Sequence, residues 1–519
     1  MNTPVQWTLT TPSILFDSDA STRVKDEAVM PGFFSDLNLD QVVDAMTAGR
    51  EDYDLKPFFY ARLNSVASVQ YRQAVFQDLK VFAVVAHLKA FAQHMLDMRE
   101  QLAIRSKVYH ELQKQRWFLE AVDTYCVAVR CLVRDLGLVE LHSQGLLSFR
   151  AYLTDYAQSP AFTSMVDQIS ALKSGLTDVR YRMHIEGPRV EVSRYDSEPD
   201  YGEQVTQTFE KFRQGPDKSY VFDTRDEPQM NHVEAAVLER VAQLNPQVFD
   251  PLEKFCQEHA EYLNGVVRAF DREVQFYLAV LDLTGRLDRA GLEFCLPKVD
   301  DQTKAIDCRD IFDLSLAIKM EAEASRLVRN SVRLEGAERI VVVSGANQGG
   351  KTSFARTFGQ LHYLASLGCP VPGSKAHLYL YDHLFTHFER EEDLATLRSK
   401  LEDDLVRIHE ILERATPRSV LVMNESFSSA TLQDALFLGK QILQRVIALD
   451  LLCVFVSFLD ELSTLSEKTV SMVSTVRADD PTKRSFKIVR MPANGRAYAA
   501  AIAEKYRLSY ESVKRRLAS

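Results

Sequence analysis

The chain has 519 residues, 46% hydrophobic and 26% charged, the balance of a globular protein with room for two to four domains and a large core. Its formal net charge of −10 excludes a wholesale basic coat for nucleic acid and leaves only a local basic surface open. No run of about 18 uninterrupted apolar residues is present to span a bilayer, and the first residues lack the basic-then-apolar pattern of a secretion signal. The seven scattered cysteines, with no C-x-x-C pair, read as reduced and mostly core thiols rather than a zinc site. The expected location is cytoplasmic.

Residues 58–159 contain no proline, and stretches such as "LKVFAVVAHLKAFAQHMLDMREQL" place apolar residues three and four apart. This predicts several long helices. At about Leu176 the texture changes. "VRYRMHIEGPRVEVSRY" has β-branched and aromatic residues on both sides of Gly187-Pro188, which predicts a hairpin. A polar stretch follows, and helical pattern resumes from about Asn231 to Arg289. Beyond Gly291, "RIVVVSG", "SVLVMNES" and "LLCVFVSF" read as buried strands, each followed by helical pattern. Such alternation predicts an α/β sheet covered by helices on both faces.

The chemistry lies in this second half. "GANQGGKTS", Gly345 to Ser353, fits G-x-x-x-x-G-K-S/T between an apolar strand and a helix, the context this phosphate-binding loop requires. Gly345, Gly349 and Gly350 let backbone N–H groups curl around phosphates, and the following helix N-terminus adds partial positive charge. Lys351 is expected to reach the β- and γ-phosphates of ATP, with Asn347 and Ser353 in the same cradle and the Thr352 hydroxyl on Mg2+. Some 70 residues on, "VLVMNES" ends a second strand in Asn424 and Glu425. In nucleotide hydrolases the first of these positions is usually an aspartate that steadies magnesium, and the second handles the attacking water. Glu425 is expected to be catalytic and, like Asn424, to meet the metal through water. One unit charge pair at 4 Å is worth roughly 4 kcal/mol at an effective dielectric of 20, so the amide at Asn424 predicts weaker magnesium binding and slow hydrolysis.

Several of these segments resemble the MutS-type ATPase family. "GANQGGKTSF" resembles its G-P-N-M-G-G-K-S/T, "LGCPVP" its G-C-F-V-P, and "EDLATLRSKLEDD" its D-D-L-A-x-G-R-S segment. "VLVMNES" stands where the family has V-L-M-D-E, and "VSFLDELS" where it has A-T-H-Y-F-E-L. "GRAYAAAIAEKYRLSYESVKRRL" resembles the family's terminal stretch, and Asp434 matches an acidic position after the second motif. The resemblance is strong over about 330–519 and looser before it. It implies a mixed fold: a helical core and outgoing lever over 1–175, a clamp-like insertion over 176–230, and returning lever helices over 231–300. An ABC-like P-loop ATPase domain with a C-terminal helical dimerisation tail would follow over 301–519. It also implies a homodimer whose ATP sites are completed in trans. That role falls on Ser399, which with Glu402 forms an S-x-x-E capping box opening a helix.

Three departures stand out. Asn424 replaces the family aspartate, and Phe458 stands where the family has a histidine. The front is expected to lack mismatch-reading and connector domains, and the one ordinary Phe-x-Glu, Phe118-Leu119-Glu120, reads as helix core and surface. The insertion 176–230 has 8 basic and 12 acidic residues, a poor balance for tight duplex binding. Arg180, Arg182, Arg189 and Arg194 fit either one face of the hairpin or a solvated strand surface. The resulting expectation is an ATP-dependent DNA-binding clamp ATPase that acts on duplex or branched DNA in repair or recombination without reading mismatches. The alternatives are a nucleotide-driven dimerising switch with a protein partner and little DNA affinity, or a nucleotide-binding pseudoenzyme. No membrane partner is expected.

Overall fold

The computed structural model describes residues 12–17, 29–196, 230–389, 399–427, 429–477 and 483–493. Most of the polar half of the expected insertion, the segment just before Ser399 and the C-terminal tail lie outside the described residues. The fold is mixed helix and sheet, divided into two compact units: one built from residues 79–141 and 147–271, the other from residues 1–78, 142–146 and 272–519. No helix among the described residues is long and apolar enough to cross a membrane.

The first unit is helical. Helices α1 (Phe82–Lys107) and α2 (Glu111–Gly137) are linked by three residues and pack on each other. Helices α3 (Gln144–Ala157) and α4 (Pro160–Asp178) follow, and Ser159 caps α4 by accepting the Phe162 N–H. The hairpin β1 (Tyr181–Glu186) and β2 (Arg189–Arg194) comes next, then α5 (His232–Leu244), α6 (Pro246–Glu258) and α7 (Gly265–Arg289), which begins in this unit. A full capping box opens α5, with Asn231 and Glu234 each accepting the other's backbone N–H. The interior is aromatic: Phe149 and Phe270 stack with centroids 3.4 Å apart, and Phe118 lies against Phe255 and Tyr262. Phe118 is thus a core residue of α2.

The hairpin turns at Gly187, whose φ of +57° suits glycine. Its register pairs Tyr181 with Arg194, Met183 with Val192 and Ile185 with Val190. Alternation along a strand then puts those apolar side chains and Arg194 on one face, and Arg182, His184, Glu191 and Arg189 on the other. The four arginines therefore do not share a face. Odd and even positions are fixed by the turn, which the charge count could not reveal.

The second unit holds a six-stranded sheet. Its strands are β3 (Ile340–Gly345), β4 (Leu384–Phe388), β5 (Val420–Asn424), β6 (Leu452–Val456), β7 (Thr469–Val476) and β8 (Arg484–Arg490). The order is β4-β5-β6-β3-β7-β8, with every pair parallel except β7 with β8. The registers Phe388↔Asn424, Asn424↔Val456, Val456↔Val343 and Ser474↔Gly345 bring the carboxyl ends of β3 to β7 to one edge. Helices α8 (Lys351–Ser366), α9 (Lys400–Arg414) and α10 (Leu432–Leu449) cover the sheet. Ile340, Val342, Leu421, Met423, Cys453 and Phe455 pack with Ile408, Leu412, Leu443 and Val446 of α9 and α10. The intervening strand positions face the side where α8 packs on β5 and β6. A smaller mixed sheet, in the order Lys298–Asp300, Lys375–Tyr379, Ile306–Ile311 and Asn330–Leu334, belongs to the same unit.

Candidate functional site

Ligand sites in such sheets form at the carboxyl ends of the strands. Here the loop from β3 to α8 supplies the cradle. Gly345 and Gly350 hold φ of +108° and +88°, and Gln348 also takes a left-handed conformation at +56°. At Gly349 the need is space rather than φ. An added Cβ would lie 2.2 Å from Ser474 Oγ and 2.8 Å from the Ala346 carbonyl oxygen. Ser474, on β7, donates from its hydroxyl to the Gly349 carbonyl at 2.7 Å and so pins the loop's far side.

Lys351 is 4% exposed. Its Nζ donates to the carbonyls of Gly345 and Ala346 at 3.0 and 3.3 Å and to Asn347 Oδ1 at 3.2 Å. The ammonium thus lies inside the loop it serves, 3.9 Å from Glu425 Oε1. Burial, more than any charge, holds it below the usual lysine range; Glu425 opposes that shift and Arg484 adds to it. Thr352 and Ser353 follow at the first turn of α8, both half-buried.

Asn424 ends β5 and is buried, and its Oδ1 has no hydrogen-bond partner. Buried carbonyl oxygens are rarely left unmatched, so this one suits a ligand. Glu425 turns out of the strand with φ of +52°, while its N–H donates to the Val456 carbonyl at 3.0 Å. Its side chain is 40% exposed. Among the described residues no group of three or more His, Cys, Asp or Glu side chains gathers around a metal position. The available oxygens, Thr352, Asn424 and Glu425, fit a magnesium ion that keeps several waters and takes its remaining ligands from phosphates.

Ser399 is exposed and caps α9, its Oγ accepting the Glu402 N–H at 3.3 Å. That is one half of the expected capping box. Phe458 is exposed at 48%, and Asp434 accepts the Thr431 hydroxyl at 2.7 Å at the start of α10.

Several groups at the site carried no local sequence signal. Arg484, on β8, donates from Nε to the Asn347 carbonyl at 3.0 Å, and its buried Nη1 has no partner. Phe486, at φ of +57°, lies close to Gly350. It helps to line a mainly apolar cavity of ≈ 300 Å³ with Leu316, Met320, Leu327, Val328 and Phe354. The cavity reaches Gly350 and Ser353, at the start of α8. Arg484 lies 137 residues from its loop partner in sequence.

A mainly parallel sheet, a glycine cradle at its carboxyl edge and a buried lysine within that cradle are the features of the P-loop class. Residues 341–515 match the family model of MutS domain V. Over 321 residues the chain is 25% identical to the DNA mismatch repair protein MutS of Granulibacter bethesdensis, covering 60% of this chain and 33% of that protein. It is 30% identical over 193 residues to the endonuclease MutS2 of Thermus thermophilus, covering 36% and 25%. To the DNA mismatch repair protein Msh3 of Mus musculus it is 24% identical over 198 residues, covering 37% and 17%. The chain is similar to MutS-type proteins over these segments, and each matched segment spans a third or less of the relative.

Proposed function

We propose that the chain is an ATP-dependent DNA-binding clamp ATPase, which hydrolyses ATP to ADP and phosphate and acts on DNA structures in repair or recombination without reading mismatches. The observation that carries the reading is Lys351, buried inside its own loop 3.9 Å from Glu425 at the carboxyl edge of the sheet. Phosphates would replace the loop carbonyls as its partners, gaining charge-assisted bonds in place of neutral ones. The purine has a seat of suitable character in the apolar cavity beside Gly350 and Phe486. Arg484 Nη1 offers a further cation near the Asn347 end of the loop. Magnesium, held by Thr352 and through water by Asn424 and Glu425, would neutralise charge on the phosphates. Glu425 would orient and deprotonate the attacking water, its partial exposure leaving room for that water.

The finer assignments follow the same reading. Residues 301–519 would be an ABC-like ATPase domain, residues 1–175 and 231–300 a helical core and lever, and the insertion over 176–230 a clamp. Two copies would form a homodimer, each Ser399 completing the other's site in trans. The relatives, named for DNA mismatch repair or endonuclease action, support the DNA assignment. The hairpin's apolar face, with Tyr181, Met183 and Ile185 all exposed, favours the second reading instead: a nucleotide-driven switch with a protein partner. A retention panel of duplex, forked and four-way DNA, with and without ATP at two salt concentrations, separates the two. Salt-dependent retention is expected, and no retention on any DNA would refute the DNA reading while leaving ATP turnover to be scored separately.

A further inference from the structure

Directly behind Glu425 lies a line of buried polar side chains that neither phosphate binding nor water activation uses. Ser426, 6% exposed, shares a 2.9 Å hydrogen bond with His387 Nδ1. His387, on β4 and fully buried, places Nε2 3.3 Å from Asp404 Oδ1 on α9, an ion-pair separation without the alignment of a hydrogen bond. Burial alone would raise the Asp404 carboxyl, but His387, Arg407 at 3.9 Å and the Phe427 N–H hold it below the usual range. The line starts one residue after Glu425 and ends five residues after Ser399, within one turn and a half of the N-cap of α9.

Three buried polar groups are not the cheapest way to fill this space. Apolar residues of similar volume would stabilise the layer as well or better. What a polar line adds is direction, because each group constrains its neighbour's orientation. The backbone beside it needs constraint: Glu425 and Phe427 hold φ of +52° and +65°, conformations that are strained for a non-glycine residue. Ser426 lies between them, so the bond to His387 pins the middle of a strained turn whose first residue is Glu425.

We propose that His387 is a positioning residue for hydrolysis, tying the Glu425–Phe427 turn through Ser426 to helix α9 through Asp404. A shift of α9 on nucleotide binding then moves the Glu425 carboxylate. This rests on the hydrolytic reading of Glu425.

The test measures ATP turnover, nucleotide affinity and thermal midpoint for the full chain and its variants. Glutamine at 387 can reach Asp404 but not Ser426, and asparagine can reach Ser426 but not Asp404. Ser426→Ala, His387→Gln and His387→Asn are each expected to lower kcat about tenfold with nucleotide affinity and midpoint little changed. Ser426→Ala combined with His387→Gln is expected to cost no more than either alone, because both cut one link. Unchanged kcat in Ser426→Ala, a loss of affinity or midpoint that parallels kcat, or additive losses would each overturn the proposal. Wild type no faster than Glu425→Gln would instead refute the hydrolytic reading, and the proposal with it. Wild type faster than Glu425→Gln but equal to Ser426→Ala would refute the proposal alone.

Discussion

Asn424→Asp isolates one charge at an otherwise unchanged shape. The side chain is 7% exposed and its Oδ1 has no partner. An unpaired carboxylate at that depth costs several kcal/mol or takes up a proton. With metal and nucleotide bound, the balance reverses. A unit charge about 6 Å from a divalent ion, across one water, is worth roughly 5 kcal/mol at an effective dielectric of 20. Set against the burial cost, this leaves about 1–3 kcal/mol, or tenfold to hundredfold in magnesium affinity. The assay is turnover against magnesium concentration, with thermal midpoints in chelator and in magnesium–ATP. The variant is expected to melt below wild type in chelator and to need at least tenfold less magnesium for half-maximal turnover. If neither quantity moves, the Asn424 side chain does not face the metal, and the reasoning from its unmatched oxygen is wrong.

Gly349→Ala is expected to weaken nucleotide binding at least tenfold, because its Cβ meets Ser474 Oγ and the Ala346 carbonyl. Adding Ser474→Ala should recover part of that loss in calorimetric titration, the Ala346 clash remaining. Arg484→Ala should weaken ATP binding about tenfold with a smaller effect on ADP, read by titrating each nucleotide; equal losses would show that the arginine only shapes the loop. Asp450 is a stability test. It meets Lys468, Lys304 and Arg339 at 2.6, 3.1 and 3.2 Å. Burial raises its pKa, but these cations overcome that and hold the carboxyl at about 2. A folded pKa below the unfolded value of about 3.9 gives stability that is fully present above pH 4 and lost as pH falls through 2. The full shift is worth roughly 2–3 kcal/mol, and solvent screening of a side chain 35% exposed reduces it to about 1–2. Asp450→Asn tolerates the φ of +56°. It should lose that amount in urea unfolding at pH 7, with the gap closing toward pH 2.

What could be read from the chain alone was local. The cradle is contiguous, so strand, glycines, Lys351 and helix declare themselves within some 25 residues, and left-handed positions call for glycine whatever surrounds them. Asn424 and Glu425 were legible because a buried strand ends there. The hairpin was legible from Gly187-Pro188, but the face of each arginine was not, since one residue of register reverses every side chain. Tertiary structure alone decided what meets the cradle from afar. Ser474 and Arg484 reach it because β7 lies beside β3 and β8 beside β7, and His387 meets Ser426 because β4 pairs with β5. A hydrogen bond depends on distance in space, and strand order, which periodicity does not encode, sets that distance.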